Sequence, residues 1–197
     1  MDRAGLRRKP LTAQAEAGDI VLLFGDEAEA LTHPYLARAW AKRGADLRVP
    51  APGQAAKVAM PGVLDRARRD LLVRTSRTKR GADVIALLAE VDRRWGPRPG
   101  GATRPVVFVL DNGPIHTRKA ARAALAERAH WLAVEWLPKR APELNDIEAA
   151  WRDLKRHHLA HRTFTGPEDL DRAIHNAVAA LIAERSRHSL GSQQNAA

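Results

Sequence analysis

Three acidic residues stand at positions where they could hold divalent metal ions. Asp26 and Asp111 each follow an apolar run, and Glu148 falls in the first turn of a predicted helix. Carboxylate oxygens are the ligands that Mg²⁺ prefers. Two such ions about 3.5–4 Å apart can activate a water or a 3′-hydroxyl at a phosphodiester and stabilise its leaving oxygen. The pattern indicates two-metal phosphodiester chemistry, although ordinary strand-to-loop capping also explains an aspartate at a strand end.

Residues beside the acids are candidates for supporting roles. Glu27 would point away from Asp26 if the first strand continues, which favours a structural role behind the site over metal ligation. Asn112 could orient Asp111 or a phosphate, or could only form the turn. His116 could contact DNA, assist a proton transfer or pack at a helix start. Glu143 lies in a loop, and we expect that it is not a ligand.

Basic residues follow Glu148 closely. Contact with phosphates is the functional interpretation, and a solvated helix face is the alternative. The neighbouring histidines do not predict a zinc site, because no further ligand set accompanies them. The candidate DNA-binding residues are Arg152, Lys155, Arg156 and Arg162.

Strands and helices that would position these residues can be read from the apolar spacing. The predicted strands are residues 20–24, 57–64, 70–74, 106–110 and 132–137, the second and third forming a hairpin. The predicted helices are a short helix or turn ending at Trp40, then 81–95, 117–130 capped by Thr117, one capped by Asn145, and 167–184. This order predicts a mixed α/β sheet with helices on its faces, and ligand chemistry at strand ends. The five tryptophans are expected in the core.

The composition favours a polyanionic partner. The 197 residues carry a formal net charge of +10, with a pI near 10.9, which favours nucleic acid. A GC-rich genome, which encodes much arginine, is the alternative source of this charge. The chain has no cysteine, no apolar run approaching the ~20 residues of a membrane span, and no apolar stretch at its start typical of a secretory signal. We expect no membrane partner and a cytoplasmic, nucleoid-associated location.

Domain organisation follows from length and composition. A chain of this size predicts one domain. We divide it into a basic lead-in (1–17), a single α/β domain (18–186) and a flexible tail (187–197).

Three sequence blocks resemble one known family. DNGPIH (111–116) and PELNDIEAAWRDLK (142–155) resemble the second and third signatures of mariner-like DDE transposases, most closely the bacterial insertion-sequence branch called family six-thirty. The 36 residues between Asp111 and Glu148 suit that branch. GDEA (25–28), with the segment up to Gly44, resembles the first signature. The resemblance covers about residues 19–185.

The resemblance implies an RNase H-like fold and a transposase catalytic domain. It implies that Asp26, Asp111 and Glu148 bind two Mg²⁺ or Mn²⁺ ions. It also implies cleavage of DNA at terminal inverted repeats and strand transfer into target DNA at TA sites, and it allows a homodimer.

The chain departs from the family pattern at three places. Asp146 stands where proline is usual, and an aspartate suits the positive helix end. Arg140 and Ala141 replace the usual Tyr-Ser pair. Only about 17 residues precede the first strand, where helix-turn-helix modules are usual. The chain is therefore interpreted as a catalytic half, a truncated copy, or the downstream product of a two-frame element whose upstream product carries the helix-turn-helix.

Two rival functions remain open at this point. One is a non-catalytic DNA-binding remnant, which the retention of all three acids disfavours. The other is a different RNase H-like nuclease such as a structure-specific resolvase, which the block at 142–155 disfavours.

Overall fold

A mixed five-stranded sheet forms the centre of the protein. The computed structural model describes residues 3–51, 53–100, 104–139 and 141–194. The strands are β1 (Val21–Leu31), β2 (Lys57–Asp65), β3 (Asp70–Val73), β4 (Val106–Leu110) and β5 (Leu132–Trp136). They are ordered β3-β2-β1-β4-β5, with β1–β2 and β2–β3 antiparallel and β1–β4 and β4–β5 parallel. The predicted mixed α/β sheet and the β2–β3 hairpin are confirmed.

Helices cover both faces of this sheet. They are α1 (Arg3–Ala17), α2 (Gly81–Trp95), α3 (Pro114–Thr117), α4 (Lys119–Glu127), α5 (Ile147–Asp153) and α6 (Pro167–Gln194). A 3₁₀ turn (Pro142–Leu144) precedes α5, and a π-helical turn (Leu154–His158) continues it. Within the described residues, no helix is long and apolar enough to cross a membrane.

Two apolar cores lie on opposite sides of the sheet. Leu22 and Phe24 of β1 belong to the core under α5 and α6, and Leu23 between them belongs to the core under α2 and α4. Successive side chains of a strand point to opposite faces, so a strand covered on both sides reads as a continuous apolar run. This is why β1 and β4 are recognisable in the sequence.

Strand β1 is longer than predicted, and Asp26 lies inside it rather than at its end. Pairing with β4 stops at Phe24, whereas pairing with β2 continues from Asp26 to Leu31. The sequence hid this extension because its buried apolar side chains are only the alanines 28 and 30. Asp26 therefore stands beside the point where β4 ends.

The helix predicted at 117–130 is shorter in the structure, as α4, and a separate short helix, α3, precedes it. Pro114 starts α3, as proline favours the first helical position, and extended Arg118 separates α3 from α4. Thr117 ends α3 and does not cap a helix. Its hydroxyl donates to the Gly113 carbonyl at 3.1 Å.

Several further expectations differ from the structure. No element was predicted in the lead-in, but α1 occupies residues 3–17 and buries Ala15 against the core. Helix α6 passes beyond residue 187, where the tail was predicted to begin. No helix is assigned between the end of β1 and Trp40, whose side chain is fully exposed. Trp151 is buried as expected, and Trp95, Trp131 and Trp136 are partly buried.

Candidate active site

Asp26, Asp111 and Glu148 line one cleft of about 510 Å³. Each comes from a different element: Asp26 from β1, Asp111 from the end of β4, and Glu148 from the first turn of α5. By strand alternation, Asp26 is on the face of β1 that carries Phe24 and Ala28, the face against which α5 packs. The predicted convergence of the three acids on one cleft is present.

Asp111 is held in place by its own loop. Its Oδ1 accepts the Gly113 amide at 2.9 Å and lies 2.6 Å from Nδ1 of His116. The hydrogen bond with His116 holds the pKa of Asp111 below its usual range, and the Gly113 amide adds to this effect. A Cβ at residue 113 would stand only 2.9 Å from the same Oδ1, so glycine lets the loop approach this closely.

His116 lies buried between two carboxylates. Its Nε2 is 2.7 Å from Oε1 of Glu27, and the two side chains are only 2% and 5% exposed. Burial alone would lower the pKa of His116, but the contacts with Asp111 and Glu27 outweigh it and raise the pKa to about 9. The ring is therefore a buried cation between acids. Glu27 lies on the opposite side of β1 from Asp26, as predicted for a continuing strand.

Asp26 is crowded by negative charge. Burial raises its pKa to about 7, and the charges of Glu148, Glu27 and Asp111 act in the same direction, against the Glu27 amide that donates to Asp26 Oδ1 at 2.8 Å. Nearby negative charges disfavour the ionised form of Asp26. A divalent cation among them would reverse this effect, because it favours the charged form of each carboxylate.

The three carboxylates of the cleft are not grouped around a single metal position. Within the described ranges, no three His, Cys, Asp or Glu side chains are grouped so that they could hold a metal ion. In a two-metal site the ligands are shared between ions about 3.5–4 Å apart and completed by water and substrate oxygens. Three carboxylates lining one cleft supply oxygen donors of the kind that Mg²⁺ and Mn²⁺ take.

Asn145 connects the start of α5 to β1. It was predicted to cap this helix, but the cap position falls on Asp146, and the Asn145 side chain instead donates to the Gly25 carbonyl at 3.2 Å. Its backbone carbonyl accepts the Glu148 amide at 3.1 Å. The residue is buried, so it fixes Glu148 relative to the residue before Asp26. Only the fold reveals this connection.

Close packing supports the same arrangement. A Cβ at Gly25 would stand 2.6 Å from the Phe108 ring, and one at Gly62 would stand 2.5 Å from the Trp151 ring. Glycine at these positions allows β1 to lie on β4 and α5 to lie on β2. Asp146 lies 2.7 Å from Nε of Arg66, so this residue, unusual for the resembled family, joins α5 to the β2–β3 turn.

Asn112 and Glu143 differ in their relation to the cleft. The Asn112 side-chain amide donates to the Leu137 carbonyl, and Asn112 lines the cleft. It therefore joins the ends of β4 and β5 beside Asp111. Glu143 is exposed and is not among the residues lining the cleft.

A second cleft of about 500 Å³ shares Asp26 and Glu148 with the first. Lys155 lines it, with its ammonium 5.8 Å from the centre of the Tyr35 ring. Burial lowers the pKa of Lys155, against the charges of Glu148, Glu29 and Asp26. Of the four predicted DNA-binding residues, the structure brings only Lys155 to the acids. The other three, Arg152, Arg156 and Arg162, are exposed and line neither cleft.

Two cations of this second cleft were missed by the sequence interpretation. Lys79 donates to the Glu27 carbonyl at 3.2 Å, and Lys57 forms an ion pair with Glu29 at 3.2 Å. Both are distant from the motifs along the chain, and only the pairing of β2 with β1 brings Lys57 near. A lone lysine in a loop gives no sequence signal of such a position.

Solved structures similar to this chain identify the fold. The chain matches the Mos1 transposase paired-end complex with left transposon end at a TM-score of 0.59, 19% identity, and coverage of 98% of this chain and 60% of that one. For the Mos1 mariner paired end complex with Mn, the TM-score is 0.59 and the identity 19%, over 92% of this chain and 59% of that one. For the HTLV-2 integrase catalytic core domain in complex with magnesium, in its dimeric form, the TM-score is 0.50 and the identity 13%, over 80% of this chain and 83% of that one. The sheet and these likenesses show the RNase H-like fold, and the chain spans about 60% of the length of the first transposase.

The family follows from the sequence. The profile of the DDE superfamily endonucleases matches residues 21–171. The chain belongs to this family. No curated protein matches it.

Proposed function

We propose that this chain is the catalytic domain of a transposase that cleaves DNA at transposon ends and transfers the freed strand into target DNA, at TA sites. The observation that carries the proposal is the convergence of Asp26, Asp111 and Glu148 on one cleft in a member of the DDE superfamily endonucleases. Likeness to a transposase in complex with a transposon end supports DNA as the partner.

The residues of the cleft would divide the work. Asp26 and Asp111 would hold a shared Mg²⁺ or Mn²⁺, and Glu148 would complete the site of a second ion. Bound there, the ions would supply an activated water or 3′-hydroxyl and stabilise the leaving oxygen. Glu27, Asn112 and His116 would support the ligands from behind. Arg152, Lys155, Arg156 and Arg162 would contact phosphates.

The wider organisation is part of the same proposal. The domain would comprise residues 18–186, preceded by a lead-in that contains α1 and followed by a tail that begins within α6. Its partners would be terminal inverted repeats, target DNA, a helix-turn-helix product of an upstream frame and a second copy of the chain. It would act in the bacterial cytoplasm, at the nucleoid.

Metal-dependent cleavage tests this function against its rivals. We expect the purified chain to nick supercoiled DNA with Mg²⁺ or Mn²⁺ and not with a chelator. A DNA-binding remnant would bind without cutting at any metal concentration. A resolvase would cut branched DNA and leave unbranched duplex intact. Either result would overturn the proposal.

Salt dependence tests the role of Lys155. Removing a side chain that binds one phosphate should reduce the slope of log affinity against log salt by about 0.9 for duplex DNA. We expect Lys155→Ala to weaken binding equally for different sequences and to reduce this slope by about one.

We also expect the chain alone to bind a terminal-repeat duplex no more than a few-fold better than a scrambled one, because phosphates carry no sequence information.

A lysine on the opposite side of the sheet is the matched control. Lys119 is exposed on α4, and Lys119→Ala should leave both affinity and slope within error. Fluorescence anisotropy at several salt concentrations measures both quantities. An unchanged slope for Lys155→Ala would remove this residue from the DNA interface.

A further inference from the structure

Glu27 is linked to both aspartates of the cleft, directly to Asp26 and through His116 to Asp111. The backbone amide of Glu27 donates to Asp26 Oδ1 at 2.8 Å. Its side chain reaches the other face of β1 and lies 2.7 Å from Nε2 of His116, whose Nδ1 lies 2.6 Å from Asp111 Oδ1. A continuous chain of contacts therefore runs from Asp26 to Asp111 behind the cleft.

We infer that Glu27 and His116 form a positioning pair that fixes the Asp111 carboxylate for metal binding. The inference rests on the proposed function, because it assigns the pair a role toward the ions. Carboxylates accept hydrogen bonds and do not donate them when ionised, so a ring between two carboxylates offers an N–H to each. Glu27 thus sets the orientation of the ring, and the ring sets the orientation of Asp111.

The contacts of Asp111 leave one oxygen for a cation. Among the described residues, both the His116 ring and the Gly113 amide contact Oδ1. These two contacts fix the rotation of the carboxylate, and its Oδ2 remains to bind a cation in the cleft. Hydrogen bonds of this kind to ligating groups orient the ligand and tune the metal.

Packing alone does not explain the pair. An apolar residue would fill the position of His116 without the cost of burying charge. The His116 side chain is 2% exposed and the Glu27 side chain 5%. The other partner of the His116 ring is the carboxylate of Asp111, which is half exposed at the cleft. A buried ionic pair directed at one oxygen of the site is expected where the orientation of that oxygen matters.

Metal binding without DNA measures this role directly. We expect Mn²⁺ affinity, followed by electron paramagnetic resonance of the free ion, to fall about 10–100-fold in Glu27→Gln and His116→Leu. His116→Asn places an amide N–H near the position of Nδ1, so it should recover part of the loss. Because Glu27 acts through His116, the double variant Glu27→Gln/His116→Leu should be no worse than His116→Leu alone.

A distant ion pair provides the matched control. Arg128 and Asp92 join α4 to α2 away from the cleft, with Nε to Oδ1 at 2.6 Å. Asp92→Asn should lower the melting temperature and leave Mn²⁺ affinity unchanged, which separates loss of fold from loss of the site. Circular dichroism confirms folding, and the near-isosteric Glu27→Gln decides the test if His116→Leu does not fold.

The outcomes separate this inference from the proposed function. Failure of the wild-type chain to bind Mn²⁺ would overturn both. Wild-type binding and cleavage together with unchanged affinity in folded Glu27→Gln, or in His116→Leu where it folds, would overturn the inference alone. A loss of affinity in Asp92→Asn equal to that in Glu27→Gln would also overturn it, since the effect would then be one of stability.

Discussion

Replacement of Asp111 by asparagine should abolish metal-dependent DNA cleavage while the protein remains folded. The amide keeps the shape of the side chain and its ability to accept from the Gly113 amide and His116, but it removes the charge that binds the cation. Metal stabilisation of developing charge contributes several kcal/mol. We therefore expect the cleavage rate to fall by about three orders of magnitude or more.

A neighbouring carboxylate is the control for this prediction. Glu143 stands five residues before Glu148 on the same segment, but it is exposed and lines neither cleft. Glu143→Gln removes one charge as Asp111→Asn does, and it should leave cleavage within about two-fold of the wild type, as for surface changes away from a site. Gel assays of plasmid nicking over a range of Mn²⁺ concentrations measure both variants. Cleavage at the wild-type rate by folded Asp111→Asn would contradict the site assignment.

The residues of the candidate cleft were largely predictable because they lie next to strong local patterns in the sequence. Asp111 ends an apolar strand, and Glu148 stands one residue after Ile147 in a helix with a clear buried stripe. Both signals are local in sequence, and the family resemblance places the three acids together. The core positions of β1 and β4 follow from the same runs, since strands covered on both faces show uninterrupted apolar residues.

The supports of the cleft were not predictable, because they depend on contacts between distant segments. The Asn145 amide reaches a carbonyl 120 positions away, and Lys79 reaches the Glu27 carbonyl across 52. His116 was assigned several roles with equal reason, because its position between two acids requires β1 to continue past Asp26. That continuation depends on pairing with β2, and its alanines and glutamates give little strand propensity of their own.

The predictions for surface segments were wrong for a different reason. Helix α1 contains Pro10 and few apolar residues, so no periodic stripe marks it, and its helicity comes from packing against the core. Trp40 was assigned to the core on residue type alone, although it is fully exposed. Burial is a property of the neighbours that tertiary structure supplies, and residue type gives only a tendency.

Replacement of Trp151 by alanine should cause the largest loss of stability. The indole is 2% exposed and lies between α5 and β2, where a Cβ at Gly62 would stand 2.5 Å from its Cη2. Removing a buried aromatic ring costs about 3–5 kcal/mol, against a total of about 5–15 kcal/mol for a typical domain. Since Trp151 lies one turn after Glu148 on α5, the same cavity should also displace the third carboxylate and lower cleavage.

An exposed tryptophan makes this prediction specific. Trp40→Ala removes the same ring from a fully exposed position, and the free energy of unfolding should change by no more than about 0.5 kcal/mol. Urea denaturation followed by far-UV circular dichroism gives both values without relying on tryptophan fluorescence.

The indole Nε1 of Trp151 is buried with no hydrogen-bond partner among the described residues. Trp151→Phe should therefore retain most of the stability, because it loses ring volume but no hydrogen bond. Equal losses for Trp151→Ala and Trp40→Ala would mean that α5, and with it Glu148, is not anchored through this ring.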